Sequence, residues 1–102
     1  MGNNSLQYFT IITSTKSEKS IIKLLNENCA HVIEIIYGHG SATKGVLAQA
    51  FGFDTEEKKL LITCLVPTNV AKNLIDILYD EYNFNKPNTG IAFSMKVEGL
   101  LF

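Results

Sequence analysis

Gly38-His39-Gly40-Ser41-Ala42-Thr43-Lys44-Gly45 is the segment of this chain whose residue types best suit an anion. Its glycines let backbone N–H groups turn toward a ligand, Ser41 and Thr43 add hydroxyls, and Lys44 brings a positive charge. A helix starting near Thr43 would aim further N–H groups at the same place. His39, held between two glycines, has the chemistry to stack on a base or to titrate at about 6.5. The order of residues excludes a P-loop. Lys44 precedes Gly45, and Val46-Leu47 occupies the place where that motif needs Lys and Ser or Thr. The same glycines also suit a plain turn that caps the following helix with nothing bound, and both readings stay open.

Other reactive side chains form no constellation. Cys29 and Cys64 lack metal-ligand spacing, and Cys29 with His31 has no further ligands at zinc-like intervals. We expect both cysteines to be reduced and structural. No third group is placed to orient a Cys–His pair for nucleophilic chemistry. Glu56-Glu57 and Asp80-Glu81 read as solvated ends of elements rather than acid–base pairs, and Lys58-Lys59 as an exposed start of a strand. No catalytic set emerges. Lys86 lies in a second polar loop with Asn88, Thr89 and Gly90, where it offers either a ligand contact or an ordinary solvated charge.

Composition narrows the class. The chain has 102 residues, which fits one domain with a genuine core. Hydrophobic residues make up 46% and charged ones 19%, so some apolar surface is expected to meet another subunit. Nine lysines face ten acidic residues, and arginine is absent, so duplex nucleic acid is excluded as a partner and bidentate phosphate clamps cannot form. No apolar run approaches the roughly 20 residues of a membrane span, which predicts a cytoplasmic protein without direct membrane insertion.

The elements that must position these residues follow from periodicity. Residues 1–6 read as frayed. Gln7–Ser14 is rich in β-branched and aromatic residues and predicts a strand. Thr15 with Glu18 forms a capping-box pattern for a helix to about Asn28, its face marked by Ile21, Ile22, Leu24 and Leu25. His31–Tyr37 predicts a second strand and Lys58–Val66 a third. Val46, Leu47, Ala50 and Phe51 fall at helical spacing inside the intervening loop, with Gly52 as a stop. Thr68 is placed to cap a helix ending near Tyr82. Ile91, Phe93, Met95 and Val97 then alternate with Ala92, Ser94, Lys96 and Glu98 as a fourth strand.

The order βαββαβ predicts an α+β ferredoxin-like domain over residues 1–102: a four-stranded antiparallel sheet with both helices on one face. Strands one and three are apolar on both sides, through Tyr8, Phe9, Ile11 and Ile12 and through Leu60, Leu61, Ile62 and Leu65. A second apolar face demands a cover. Several hundred Å² at ~25 cal/mol per Å² amounts to on the order of 10 kcal/mol per subunit before association costs. We therefore expect a homo-oligomer.

With this order of elements, the Gly38-His39-Gly40 and Lys44-Gly45 pair, and the loop Asn85-Lys86-Pro87-Asn88-Thr89-Gly90-Ile91-Ala92-Phe93, the chain resembles the PII signal-transduction family of nitrogen-regulatory proteins over roughly residues 7–99. The first motif is similar to the family's Gly-aromatic-Gly opening and Lys-Gly close, with one residue added. The second is similar to the loop that closes over a nucleotide. The resemblance implies a homotrimer with inward-facing sheets and an adenine nucleotide (ATP, ADP or AMP) in clefts between subunits. It also implies 2-oxoglutarate sensing at the base of an effector loop, here 38–57, that docks on an enzyme, regulator or membrane transporter. Carried onto this chain, the ligand site is Gly38, His39, Gly40, Ser41, Thr43, Lys44, Gly45, Lys86, Asn88, Thr89 and Gly90, and the partner surface is Val46, Leu47, Ala50 and Phe51.

The chain departs from the family where Asn88 replaces a glycine, Thr89 an acidic residue and Ile91 a lysine, which removes a phosphate contact. The loop is shorter and has no Tyr to carry a nucleotidyl group, and the family's C-terminal basic pair has no counterpart before Leu100-Leu101-Phe102. Two other classes stay in view: an interaction module that needs no ligand, docking through Val46, Leu47, Ala50 and Phe51, and a small-molecule enzyme on the same fold.

Overall fold

The structure is a computed structural model that describes residues 5–28, 30–39, 58–86 and 89–99. It contains β1 (Leu6–Ser14), a 3-10 turn (Thr15–Ser17), α1 (Glu18–Glu27), β2 (His31–His39), β3 (Lys58–Pro67), α2 (Thr68–Glu81) and β4 (Gly90–Lys96). The strands form one antiparallel sheet in the order β2-β3-β1-β4, the expected ferredoxin-like arrangement.

Alternation along the strands divides the sheet into two faces. Phe9 and Ile11 of β1 and Leu60, Ile62, Cys64 and Val66 of β3 turn toward the helices and are buried. They meet Ile21, Leu24 and Leu25 of α1 and Ala71, Leu74 and Leu78 of α2 in a single core. Each of the larger side chains contributes about 1.5–3 kcal/mol of transfer free energy. The helices are tied side by side, since the Tyr82 hydroxyl donates to the Ser20 carbonyl at 3.2 Å and Asn73 Nδ2 donates to Asn28 Oδ1 at 3.3 Å.

Among the described residues no helix covers the opposite face. Tyr8 and Ile12 of β1, Leu61 and Leu65 of β3 and Ile91, Phe93 and Met95 of β4 share it by register, with Ile36 on the flank. Tyr8, Ile36, Phe93 and Met95 are exposed there. The two-sided apolar character expected from the sequence is therefore present, and no other described element covers the second face.

Local details correct several expectations. Thr15 and Glu18 do not form a capping box, because Thr15 starts a 3-10 turn and Ser14 is the residue whose side chain accepts from the Lys16 N–H. Thr68 is not the cap of α2. Pro67 occupies that position, and Thr68 instead donates from its N–H and its hydroxyl to the Ser5 carbonyl, both at 3.0 Å. The second strand does not stop at Tyr37, because Gly38 and His39 pair with Lys59 and Lys58. Near its start β2 is irregular between His31 and Glu34, where Val32 takes a left-handed φ of 53° and is exposed. The helix expected over 46–51 lies outside the described residues.

Candidate functional site

Antiparallel pairing brings the chemistry-bearing ends of all four strands to one end of the sheet. One cross-strand row runs Gly38–Lys59–Ser14, the next Tyr37–Leu60–Thr13–Gly90, and His39 lies opposite Lys58. Both glycine segments singled out in the sequence thus reach the same end. They do so at opposite edges, because β3 and β1 lie between β2 and β4. Three inter-strand spacings separate the edges by roughly 14 Å, too far for one phosphate group to touch both.

The β2 side of this end is basic and hydroxyl-rich. Lys58 is exposed and opposes His39, while Lys59 opposes Gly38 and Ser14. The register places these two lysines beside Gly38-His39, although in sequence they look only like a strand start. Counting the β2–β3 hairpin register back from its loop would have placed them beside Gly38-His39. Gly38 itself is uncrowded, with no atom within 4 Å of where a Cβ would stand. Packing among the described residues does not demand a glycine there.

Beside Gly38, the Tyr37 hydroxyl donates to Glu18 Oε2 at 2.5 Å, joining the end of β2 to the first residue of α1. The bond to this carboxylate, then the partial loss of water and the carboxylate's charge, push the Tyr37 hydroxyl above its usual pKa. It stays protonated and bonded at neutral pH.

The β4 side is built differently. Asn83, at a φ of 62°, ends α2, the Phe84 N–H donates to the Leu78 carbonyl, and the Lys86 N–H donates to the Asn83 carbonyl, both at 3.0 Å. Lys86 is exposed. The buried Thr13 hydroxyl donates to the Thr89 carbonyl at 2.9 Å. Gly90 is covered by Phe84: a Cβ there would lie 2.5 Å and 2.7 Å from the two Cε atoms of the ring and closer still to Cζ. Close approach of an aromatic ring, which only glycine permits, therefore explains residue 90 within the chain.

Gly40, Ser41, Thr43, Lys44, Gly45 and Asn88, with the partner surface Val46, Leu47, Ala50 and Phe51, lie outside the described residues, as does Cys29. Cys64 is buried in the core, and burial pushes its thiol up to about 11, so it is an inert packing residue. Among the described residues no group of three or more His, Cys, Asp or Glu could hold a metal ion. No helix among them is long and apolar enough to cross a membrane.

No protein-family model matches the sequence, and a search of curated proteins finds no match. Solved structures do match. A PII-like signalling protein from Thermus thermophilus superposes with a TM-score of 0.67 at 23% identity, over 90% of this chain and 86% of that one. CPII from Thiomonas intermedia, bound to ADP, AMP and acetate, gives 0.66 at 16% identity over 92% and 89%. The same nitrogen regulatory PII-like protein bound to ADP, AMP and bicarbonate gives 0.64 at 17% over 95% and 96%. The chain has the fold of PII-like signalling proteins along nearly its whole length.

Proposed function

We propose that this chain is a divergent PII-like regulatory protein that binds an adenine nucleotide between subunits and acts on a partner protein through residues 38–57. The observation that carries the reading is the fold shared over nine-tenths of the chain with PII-like signalling proteins, CPII with ADP and AMP among them. The placement of the candidate residues supports it. Gly38 and Gly90 stand at the same end of the sheet but at opposite edges, so one ligand meets both segments most directly where β2 of one copy adjoins β4 of the next.

The open apolar face supplies the driving force for that arrangement. Covering Tyr8, Ile36, Phe93 and Met95 with the same face of neighbouring copies removes apolar surface from water, and a homotrimer with inward-facing sheets does this symmetrically. Lys58, Lys59 and Lys86 are the described cations at the two edges of such a cleft. With no arginine, they contact phosphate as point charges rather than as bidentate forks. That favours a modestly charged ligand such as ADP or AMP. Binding would bias the chain between two states of the segment 38–57, and the regulatory effect equals the ligand's difference in affinity for them.

Isothermal calorimetry of the full chain with ADP, AMP and ATP, each with and without 2-oxoglutarate or bicarbonate, tests the proposal. Saturable heat with ADP or AMP is the expected result. Absence of heat with every nucleotide removes the nucleotide reading and leaves a ligand-independent interaction module.

A further inference from the structure

The outward surface of the helix layer carries two charged stripes. On α1 the exposed residues Lys19, Lys23 and Glu27 recur every four residues, and on α2 the exposed residues Lys72, Asp76 and Asp80 do the same. Both stripes lie outside the core that Ile21, Leu24 and Leu25 of α1 form with Ala71, Leu74 and Leu78 of α2. Within each helix the pattern is locally unfavourable. Lys19 sits one turn from Lys23 and Asp76 one turn from Asp80, and Asp80 stands at the negative end of the α2 macrodipole, whose last turn has no base. Among the described residues none of these six charges has an ion-pair partner. The two helices run antiparallel, as the Tyr82–Ser20 and Asn73–Asn28 bonds require.

We propose that this helix layer docks on the helix layer of a second copy of the chain, about a two-fold axis that runs along the helices and between them. Such an axis sets α1 of one copy on α2 of the other, antiparallel, and repeats the contact reciprocally. Lys19 then meets Asp80, Lys23 meets Asp76 and Glu27 meets Lys72 of the second copy, since each step of one turn forward on α1 is one turn back on α2. The levels agree. Inside the chain Tyr82 stands beside Ser20 and Asn73 beside Asn28, so every pair is offset by only roughly 4 Å along the axis at about 1.5 Å per residue, within reach of a lysine side chain. By the same count Tyr79, 57% exposed, comes level with the half-buried Ile22 of the second copy, with Ile75 one turn away. Because the two stripes of one chain complement each other, a second copy satisfies both at once, and this makes it the occupant. The contact uses neither the apolar sheet face nor the nucleotide site, so it goes beyond the function proposed above and joins whole assemblies rather than building them. Exposed ion pairs are individually weak and screened by salt, so the pairing belongs to low ionic strength.

Sedimentation equilibrium of the full chain without nucleotide, in about 10 mM and about 1 M NaCl, tests the contact, because the screening length falls from about 30 Å to about 3 Å between them. The wild type should show at least twice the mass at low salt that it shows at high salt, where only apolar contacts survive. Lys23→Glu and Asp76→Lys, both at exposed positions, should each keep the high-salt mass at low salt. An equal mixture of the two should regain the wild-type doubling, because each variant carries the charge that the other's altered stripe requires, and no effect confined to one chain is rescued by mixing. Lys19→Glu with Asp80→Lys is a second exchange read in the same way. Glu98→Lys changes the net charge as Asp76→Lys does but lies outside both stripes, and it should double normally. Equal wild-type mass at both salts, doubling by either single variant, a mixture that stays unpaired, or loss of doubling in Glu98→Lys overturns the inference. A wild type that is monomeric at high salt removes the sheet-face assembly instead, and its doubling at low salt still upholds the helix contact.

Discussion

Replacing Phe93 by Glu is the most direct probe of the open sheet face. Phe93 sits between Ile91 and Met95 on β4, opposite Thr10, and is 41% exposed in the single chain. For an aromatic side chain of roughly 200 Å², that exposure leaves roughly 80 Å² to be covered by a neighbouring copy. At ~25 cal/mol per Å² its burial is worth about 2 kcal/mol per subunit, and a symmetric assembly repeats the term at every copy. Phe93→Glu forfeits that gain and sets a carboxylate against apolar surface without a partner, which costs several kcal/mol more. Sedimentation equilibrium at micromolar concentration should find the wild type assembled and the variant monomeric, with unchanged far-UV circular dichroism. Lys72→Glu, an exposed position on α2 away from this face, serves as the control and should leave assembly intact. A monomeric wild type, or a Phe93→Glu variant that assembles as tightly as the wild type, would refute the reasoning.

Val32→Gly should stabilise the chain by about 1 kcal/mol in urea denaturation, because a β-branched residue at a φ of 53° is strained and, being exposed, loses little packing on removal. Leu74→Ala, at a position with no exposed surface, should destabilise by about 2–5 kcal/mol in the same assay. Cys64 should resist alkylation in the folded protein at neutral pH and react on unfolding, as read by peptide mapping of the labelled site. Because burial raises its folded pKa to about 11 from 9.0, its contribution to stability is complete below pH 9.0 and is lost as pH rises through about 11. Tyr37, whose folded pKa is likewise raised, should keep its bond to Glu18 at neutral pH and release it only at alkaline pH, so the tyrosinate absorbance titration of the four tyrosines should lose its latest-ionising share in Tyr37→Phe.

Much of the fold was legible because strand and helix periods are clean in this chain. Ile21, Leu24 and Leu25 mark one helical face, and the doubled apolar pattern of β1 and β3 announces a sheet with two surfaces to bury. Caps were less legible. Thr15 and Thr68 have the right chemistry for a helix start, but in each case a better local partner was present. Ser14 takes the first orphan N–H before α1, and the Ser5 carbonyl, brought close by the start of β1, draws both donors of Thr68. The candidate site is suggested by the sequence only in its loops. Glycine and lysine spacing pointed to 38–45 and 86–90, whereas Lys58 and Lys59 become relevant through hairpin register, and Thr13 and Phe84 through contacts across 76 and 6 residues of sequence respectively. No local pattern announces such a contact, because its cause lies in which strands become neighbours.

The irregular start of β2 has a consequence for how copies can join. β2 and β4 are the two outer strands of the sheet, and each has one side unpaired with any other described strand. On β2 the regular ladder resumes only at Glu34, since Val32 turns the backbone out of the pleat. A foreign strand can therefore lie in register along Glu34–His39 but not along the whole of β2. A truncated docking edge of this kind limits endless edge-to-edge stacking, so a short pairing closed into a ring is accommodated while a growing fibril is discouraged.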